Sequence, residues 1–255
     1  MPGIRLDLSD HVALVTGGGS GIGAGIAKAM AAAGATVALA GRRLDRLDAV
    51  RRSIEGAGGH AIALPFDLAR GEHANELVTA AVERLGRVDD LVHAAGNHIR
   101  RPALEITLED FDTVVGVHLR AAFSLAQSVG RHLREVQRPG SITFVGSLTS
   151  ERLGIENSLA YASAKSGLLG LMRTLAVEWA RYHIRVNAVI VGFVATEMTR
   201  EVDDLPARRA LTGRAPLGRL GTPEEVGGVA AFLASGLASY INGASVTVDG
   251  GWSIA

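Results

Sequence analysis

The sequence has no cysteine, so disulfides, thiolate metal ligands and a cysteine nucleophile are excluded. Its formal net charge is zero, which gives no indication of a nucleic-acid or membrane-surface partner. No apolar run approaches the length of a membrane span, and the N-terminus lacks the apolar region of a signal peptide. The histidines and carboxylates show no recognisable metal-ligand spacing. These absences predict a cytoplasmic protein without a metal.

Short apolar runs alternate along the chain with longer amphipathic segments. The 255 residues, of which 47% are apolar and 20% charged, suit a single domain over residues 1–255. The predicted strands are His11–Thr16, Thr36–Ala40, His60–Phe66, Asp89–His93, Ser141–Gly146, Ile184–Ile190 and Ala244–Val248. The predicted helices are Ile22–Ala33, Leu44–Glu55, Glu72–Leu85, Leu108–Leu133, Leu159–Tyr182 and Pro223–Ala234.

Strands that alternate with helices indicate βαβ units and a parallel sheet. The strands are nearly all apolar, as expected when helices cover both faces of a sheet. We therefore predict an α/β fold of the Rossmann type: a doubly wound, seven-stranded parallel sheet that binds ligands at the carboxyl ends of its strands. The irregular stretch of about 192–221 is either a substrate lid over that edge or a surface excursion with a short helix.

A glycine-rich turn, Thr16-Gly-Gly-Gly-Ser-Gly-Ile-Gly23, follows the first predicted strand, and a helical pattern starts at once. Glycines permit a tight turn and a close approach of the backbone to a pyrophosphate, which then meets the positive end of the helix. The alternative is a glycine-rich turn without a ligand, which its place in the first βα unit disfavours. The predicted cofactor contacts in this turn are Gly17, Gly19, Ser20, Gly21, Ile22 and Gly23.

The end of the second predicted strand distinguishes between the two nicotinamide dinucleotides. An Asp or Glu near this position binds the ribose 2′-hydroxyl in NAD-specific folds, whereas Arg42 and Arg43 suit the 2′-phosphate of NADP. We therefore expect NADP(H) rather than NAD(H), with Arg42 as the main contact. The alternative is that both arginines merely open a solvated helix. Asp67, followed by Leu68 after the third strand, either accepts a hydrogen bond from adenine or caps the next helix.

Tyr161 and Lys165 are four residues apart in a predicted helix, so both side chains lie on one helix face. A nearby cation lowers a tyrosine pKa from about 10, and a phenol so placed can exchange a proton with a carbinol or ketone oxygen. Lys165 is also one of only two lysines in the chain. The simpler alternative is a surface Tyr–Lys pair. Ser147 weighs against it, because it follows a predicted strand whose carboxyl end faces the glycine-rich turn.

Together these motifs resemble the short-chain dehydrogenase/reductase family over essentially the whole chain. The resemblance rests on Thr16…Gly23, His93-Ala-Ala-Gly96, Ser147…Tyr161-xxx-Lys165, Arg185-Val-Asn187 with Gly192, and Val246-Thr-Val-Asp-Gly-Gly251. It implies Tyr161 as catalytic acid/base, Ser147 as the donor that orients the substrate, and Lys165 as a ligand of the nicotinamide ribose that lowers the Tyr161 pKa. It also implies a homotetramer. The cofactor contacts that it adds are Ala95, Gly96, Tyr161, Lys165, Gly192, Val194 and Thr196.

The chain departs from the family pattern at three places. His93-Ala94 stands where the family has Asn-Asn, and Val191-Gly192 stands where it has Pro-Gly. His118 stands where the family has a fourth catalytic residue, an Asn that helps to position a water for proton relay. A histidine either holds such a water and titrates near neutral pH, or is simply a packed helix residue. His118 is therefore a candidate catalytic residue.

Two stretches resemble the sugar-acid branch of the family, the gluconate 5-dehydrogenases and their ketodeoxygluconate relatives. One follows Gly96 and includes Arg100; the other is the run from Ser147 to Glu151. The resemblance implies Arg100 as a substrate contact, and arginine suits a carboxylate because it binds it bidentately. The alternative is an arginine that decorates a surface loop or bridges subunits. The expected substrate-binding residues are Arg100, Ser147, Ser150, Glu151 and Tyr161.

The expected activity is an NADP(H)-dependent hydride transfer at a secondary alcohol or ketone of a sugar acid such as gluconate or 5-ketogluconate. The enzyme alternative is a broader carbonyl or 3-oxoacyl thioester reductase, whose pocket would be apolar and independent of Arg100. A non-catalytic NADP-binding sensor is a third alternative. The departure at His118 leaves it open, although the intact Ser147, Tyr161 and Lys165 argue against it.

Overall fold

The computed structural model describes residues 5–68, 74–151, 153–197 and 212–255. Within these ranges seven strands form one parallel sheet in the order β3-β2-β1-β4-β5-β6-β7. The strands are β1 Val12–Thr16, β2 Thr36–Gly41, β3 His60–Pro65, β4 Asp90–His93, β5 Gly140–Ser147, β6 Ile184–Val191 and β7 Ser245–Val248. The seven-stranded, doubly wound fold predicted from the sequence is thereby confirmed.

Helices connect the strands and cover both faces of the sheet. They are α1 Gly21–Ala32, α2 Leu44–Gly56, α3 Ala74–Leu85, α4 Leu108–Val115, α5 Ala121–Glu135, α6 Leu159–Trp179 and α7 Pro223–Ala234. Successive strand residues point to opposite faces, so Leu14 and Phe144 pack with α3, α5 and α6, whereas Val15 and Val145 pack with α1, α2 and α7. In the part of the chain described, no helix is long and apolar enough to cross a membrane.

The predicted helix Leu108–Leu133 is interrupted by a π-helical turn, Gly116–Arg120, between α4 and α5. A π-turn accommodates one extra residue per turn and is found frequently at functional sites, and here it carries the buried His118. Amphipathic spacing continues through such a turn, which is why the sequence pattern reads as one helix. The last residues of the predicted helix Leu159–Tyr182 form a 3₁₀ turn, Ala180–Tyr182. Glu72, the predicted first residue of α3, lies outside the described residues.

The strand order creates a crevice for a ligand at the carboxyl ends of the strands. The chain runs outward from β1 to β3 and then crosses back to β4 on the other side of β1. The connections after β1 and β4 therefore diverge, and they leave a crevice at the carboxyl ends of these two strands. Thr16 and His93 end the two strands as paired residues, so the glycine-rich turn and the loop after β4 begin side by side.

Candidate active site

Two cavities lie along the carboxyl edge of the sheet and meet at the glycine-rich turn. The first, called the tyrosine cavity, has a volume of about 340 Å³ and is lined by Ser147, Tyr161 and Lys165. The second, called the arginine cavity, has a volume of about 230 Å³ and is lined by Arg42, Arg43 and Arg46. The residues that line both cavities are Gly17, Ser20, Ala95 and Gly96. The combined crevice is therefore long and has two chemically different ends.

The glycine-rich turn packs so closely against itself and against the loop after β4 that two of its positions have no room for a side chain. Gly17 has φ +69°, and a Cβ at this residue would lie 2.9 Å from the Ala95 backbone. A Cβ at Gly23 would lie 2.2 Å from the Gly17 carbonyl oxygen. The turn leads directly into the N-terminus of α1, where amide groups and the helix dipole favour an anion. Gly21 and Ile22 also line the tyrosine cavity, and Gly19 lines the arginine cavity.

Positive side chains line the arginine cavity at the end of β2. Arg42 and Arg43 follow this strand directly, as predicted, and Arg46 on the first turn of α2 joins them. Arg46 forms an exposed ion pair with Glu197 at 3.1 Å, and Glu197 lines the tyrosine cavity. The remaining lining includes the predicted Asp67 and Leu68 after β3. The cavity thus offers cations where a dinucleotide phosphate would need them.

Ser147, Tyr161 and Lys165 converge from two elements. Ser147 is the last residue of β5, and Tyr161 and Lys165 are one turn apart near the start of α6. The Lys165 Nζ lies 5.7 Å from the centre of the Tyr161 ring, and the Ser147 hydroxyl is close enough to the phenol to favour its ionised form and lower its pKa. The Ser147 Oγ also accepts a hydrogen bond from the Thr149 amide at 3.3 Å. The arrangement brings two hydroxyl groups and an ammonium to one wall of the tyrosine cavity.

The pKa of Tyr161 is raised, whereas the sequence predicted that it would be lowered. Burial disfavours the phenolate and raises the pKa, and the hydrogen bond with Ser147 lowers it only in part. Lys165 is itself buried, with 4% of its surface exposed, and its Nζ donates to the Val145 carbonyl at 2.5 Å. Burial lowers the Lys165 pKa to about 7, so the ammonium is only partly populated near neutral pH. The lysine is thus a weaker source of positive charge than its residue type suggests.

His118 lies at the base of the tyrosine cavity on the π-helical turn. Its ring packs edge to face with the Tyr161 ring, with 5.2 Å between the ring centres. Its Nε2 lies 2.7 Å from the Asn97 carbonyl oxygen. A Cβ at Gly96 would lie 2.4 Å from its Cε1, so glycine at 96 makes room for the ring. Burial and the nearby Lys165 hold its pKa well below 6.5. The titration near neutral pH considered from the sequence is therefore not supported, and the ring is neutral.

His93 has a structural role that the sequence did not reveal. Its Nδ1 lies 3.0 Å from the Thr16 Oγ1, and its Nε2 lies 3.1 Å from the Val117 carbonyl oxygen. Thr16 Oγ1 also accepts from the Ala95 amide at 3.2 Å. His93 therefore ties the ends of β1 and β4 to the π-helical turn. Burial and Lys165 lower its pKa to about 3, so it acts as a neutral hydrogen-bonding group.

The structure brings only part of the predicted substrate-binding set to the tyrosine cavity. Arg100 lines this cavity and has no hydrogen-bond or ion-pair partner among the described residues. Its neighbour Arg101 pairs instead with Asp110 at 3.0 Å. Ser150 and Glu151 line neither cavity, in contrast to the prediction. The reason is a 3₁₀ turn after β5, in which the Ser150 hydroxyl accepts from the Ser147 amide at 3.0 Å.

Backbone hydrogen bonds hold the two ends of the predicted lid segment together beside the tyrosine cavity. Val194 pairs with Gly221 in a parallel β-bridge, and the Gly221 amide donates to the Phe193 carbonyl at 3.0 Å. Gly192, Val194 and Thr196 line the tyrosine cavity. Residues 198–211 of the predicted lid lie outside the described residues.

Several cavity-lining residues were not predicted from the sequence. They come from the loop after β4, the turn after β5 and the segment after β6, where the carboxyl-end rule could have suggested them. The chemically useful ones are His98, Thr149 and Ser158, and the apolar ones include Ile155 and Phe193. Among the described residues, no group of three or more histidine or carboxylate side chains is placed to hold a metal ion.

The chain is similar to enzymes of the short-chain dehydrogenase type. The family model for short-chain dehydrogenases described as enoyl-(acyl carrier protein) reductase matches residues 17–253. L-rhamnose 1-dehydrogenase (NAD(P)(+)) from Azotobacter vinelandii is 39% identical over 96% of this chain and 97% of its own. The 3-oxoacyl-[acyl-carrier-protein] reductase of Thermotoga maritima is 38% identical over 96% of this chain and 98% of its own.

Solved structures agree with these relatives. A gluconate 5-dehydrogenase from Burkholderia cenocepacia J2315, in complex with NADP and tartrate, is 33% identical and superposes with a TM-score of 0.92 over 98% of both chains. The chain therefore belongs to the short-chain dehydrogenase/reductase family and is an NAD(P)-dependent oxidoreductase. The resemblance inferred from the sequence motifs is confirmed.

Proposed function

We propose that this protein is an NADP(H)-dependent dehydrogenase of sugar acids, acting between a secondary alcohol and a ketone as in gluconate and 5-ketogluconate. The observation that carries this proposal is Arg100. It lines the same cavity as Ser147 and Tyr161 and lacks a partner among the described residues, whereas Arg101 is paired with Asp110. An unpaired guanidinium at a reaction cavity suits a substrate carboxylate, which it can hold bidentately.

The residues along the crevice suit the successive parts of a dinucleotide. The glycine-rich turn suits the pyrophosphate because it leads into the N-terminus of α1, and glycine at 17 and 23 allows the turn to fold this tightly. Arg42 and Arg43 would hold the 2′-phosphate. Lys165, Val194 and Thr196 line the other end, where the nicotinamide riboside would lie. When bound, the cofactor supplies or accepts the hydride.

The chain's own residues handle the proton at the reacting oxygen. The raised pKa of Tyr161 keeps its phenol protonated, so that it can donate to a ketone oxygen during reduction. Ser147 adds a second hydroxyl donor to the same oxygen. Lys165, held by the Val145 carbonyl behind the tyrosine, is close enough to stabilise the phenolate that remains. For alcohol oxidation the same groups act in reverse.

The cofactor preference is tested by Arg42→Ala. Loss of a charge-assisted contact to the 2′-phosphate should lower kcat/KM for NADPH by about 10- to 100-fold and leave the value for NADH nearly unchanged. Arg131→Ala, on the surface of α5, provides the matched control. Equal losses with both dinucleotides would argue against NADP selection by Arg42.

The substrate class is tested by following NADPH oxidation with 5-keto-D-gluconate and with an acetoacetyl thioester. Turnover of the keto acid should be lost in Tyr161→Phe and should fall sharply in Arg100→Ala, because the carboxylate loses its partner. Arg101→Ala is the matched control, since this residue is already paired with Asp110. A wild-type level of keto-acid reduction in Arg100→Ala would refute the sugar-acid proposal.

A second candidate is a 3-oxoacyl thioester reductase. Ile155 and Phe193 give the tyrosine cavity apolar walls, and the Thermotoga maritima relative carries this activity in its name. Activity confined to the thioester and independent of Arg100 would favour it. NADPH binding without any turnover that depends on Tyr161 would instead favour a non-catalytic sensor.

We also propose a cytoplasmic homotetramer, in line with the family. Apolar side chains on α4, α5 and α6 support self-association: Leu108, Phe123 and Val177 are 82%, 45% and 81% exposed. Light scattering coupled to size-exclusion chromatography should give four times the mass of the chain, and a monomeric mass would contradict this.

A further inference from the structure

His98 is a titratable residue of the tyrosine cavity whose role neither the motifs nor the mechanism explain. It follows β4 by five positions and lines the cavity beside Tyr161. The two rings are 4.8 Å apart between centres and are tilted by 33°, so the imidazole covers part of the phenol ring. His98 is half-buried, and Arg100, two residues further on, lines the same cavity. The imidazole is therefore adjacent to both the reacting end and the carboxylate end of the proposed substrate site.

The contacts of Ser158 are the basis for assigning the proton to one of the two His98 nitrogens. The buried Ser158 donates its only hydroxyl hydrogen to the Glu156 carbonyl at 3.3 Å. In this arrangement the Ser158 Oγ accepts a hydrogen bond from the His98 Nε2, 3.1 Å away, and we assign the imidazole the corresponding tautomer. In a neutral imidazole a protonated Nε2 leaves Nδ1 as an acceptor. No described residue provides a hydrogen-bond partner for this Nδ1.

The surroundings keep the imidazole neutral. Partial burial lowers the His98 pKa, and the positive charge of Arg100 lowers it further. At neutral pH the cavity therefore holds two complementary groups side by side. Arg100 can only donate hydrogen bonds and suits a carboxylate, whereas His98 Nδ1 can only accept and suits a hydroxyl.

We propose that His98 is a specificity-determining residue, whose Nδ1 accepts a hydrogen bond from a substrate hydroxyl between the reacting carbon and the carboxylate. This inference rests on the proposed function and narrows it. The preferred substrate is a keto acid whose intervening carbons carry hydroxyls, rather than a plain keto acid of equal length. Ser158 is a positioning residue, because its hydroxyl holds the His98 ring in the acceptor tautomer.

Two substrates that differ in hydroxyls test the proposal. 5-Keto-D-gluconate and 5-oxohexanoate share a six-carbon chain, a carboxylate and a ketone at the same position, but only the first carries hydroxyls. His98→Phe keeps a ring against Tyr161 and removes the acceptor. It should raise KM for 5-keto-D-gluconate about tenfold, the usual effect of one lost hydrogen bond, with little change for 5-oxohexanoate.

His98→Asn retains an acceptor oxygen at the δ position and should restore part of the preference. His60→Phe, an exposed histidine at the start of β3, is the matched control and should leave both KM values unchanged. A thermal unfolding scan of each variant detects loss of folding. If His98 has a purely structural role, the KM values for both substrates should change by the same factor in His98→Phe, and that result would overturn the proposal.

Arg100→Ala separates this inference from the proposed function. If Arg100→Ala lowers activity on both substrates by the same factor and the preference for the hydroxylated substrate is retained, both carboxylate recognition by Arg100 and hydroxyl recognition by His98 are supported. A preference that depends on His98 while Arg100→Ala has no effect would retain hydroxyl recognition and refute carboxylate recognition. A wild-type enzyme that reduces 5-oxohexanoate as efficiently as 5-keto-D-gluconate, or that reduces neither, would overturn the inference about His98.

Discussion

Around Tyr161, burial decides the charge of each side chain. Lys165, His93 and His118 are buried polar groups whose pKa values are lowered because water is excluded from them. The pKa of Tyr161 is raised for the same reason. All four groups are therefore driven towards neutrality in the protein. The proton-transfer groups of this site are therefore mainly uncharged in the free protein, and the bound substrate and cofactor bring the charged groups.

The buried lysine predicts a conflict between stability and activity. Because its folded pKa of about 7 is below the usual lysine value of 10.5, the unfolded chain binds more protons between these pH values. The wild-type free energy of unfolding should therefore rise with pH over this range. Lys165→Met should be inactive but more stable, and its advantage should shrink by about 2 kcal/mol from pH 7 to pH 9.

Urea denaturation of both proteins at the two pH values measures this difference. Lys28→Met, which alters the other lysine of the chain, is the matched substitution. An advantage for Lys165→Met that does not vary with pH would show that its origin is packing rather than desolvation of the ammonium.

At the scale of elements, two helices cross in close backbone contact beneath the cofactor crevice. A Cβ at Gly227 of α7 would lie 2.6 Å from the Gly25 carbonyl oxygen of α1 and 2.8 Å from the Ala29 Cβ. A Cβ at Gly25 would lie 2.4 Å from the backbone of Pro223. α1 carries the glycine-rich turn at its N-terminus, so this crossing sets the position of the proposed pyrophosphate site.

Two adjacent glycines of α7 provide a matched comparison. Gly227→Ala should lower the free energy of unfolding by about 1–3 kcal/mol, because the helices must separate to accept the methyl group. At Gly228 an added Cβ meets nothing within 4 Å. Gly228→Ala should therefore raise the free energy of unfolding by about 0.5–1 kcal/mol through helix propensity. Chemical denaturation measures both values, and similar effects of the two substitutions would contradict tight packing at the crossing.

At the scale of the molecule, the two edges of the sheet carry different chemistry. The carboxyl edge holds the two cavities, whereas charged groups at the amino edge are paired with one another. Asp90 is fully buried, and its carboxylate lies 2.7 Å from the His11 Nδ1. It also accepts a hydrogen bond from the Ser141 hydroxyl at 2.5 Å. Asp89 accepts from Arg87 at 2.8 Å and from Arg138 at 3.1 Å. The paired charged groups at the amino edge stabilise the fold. At the carboxyl edge, Arg100 has no partner among the described residues and is available to the substrate.

The His11–Asp90 pair makes stability depend on pH. The hydrogen bond to Asp90 raises the His11 pKa above 6.5, so the charged pair stabilises the fold at low pH and this contribution is lost as pH rises through the folded pKa. His11→Asn should therefore reduce stability more at pH 5.5 than at pH 8.5, by about 1 kcal/mol or less, since the imidazole is partly exposed. Urea denaturation at both pH values tests this. Parallel pH profiles of wild type and variant would exclude the proposed linkage.

The alternation of apolar runs and helical patterns was enough to predict the fold. All seven predicted strands match the observed ones to within one residue at each end, because the strands of a parallel sheet covered by helices form short apolar runs. The meeting of Ser147, Tyr161 and Lys165 was predictable too. Strand ends in a parallel sheet share one edge, and residues four apart share a helix face.

Long-range packing decided what the local pattern could not. The π-helical turn that carries His118 keeps an amphipathic pattern, so only its fit against Gly96 and Asn97 reveals it. Ser150 was expected in the substrate pocket, but the 3₁₀ turn uses its hydroxyl for the Ser147 amide. The direction of the Tyr161 pKa shift and the acceptor state of His98 likewise arise from burial and from partners distant in sequence. Periodicity and motif spacing are local properties and therefore specify the elements and the reaction type, whereas desolvation and hydrogen-bond partners exist only once those elements are packed together.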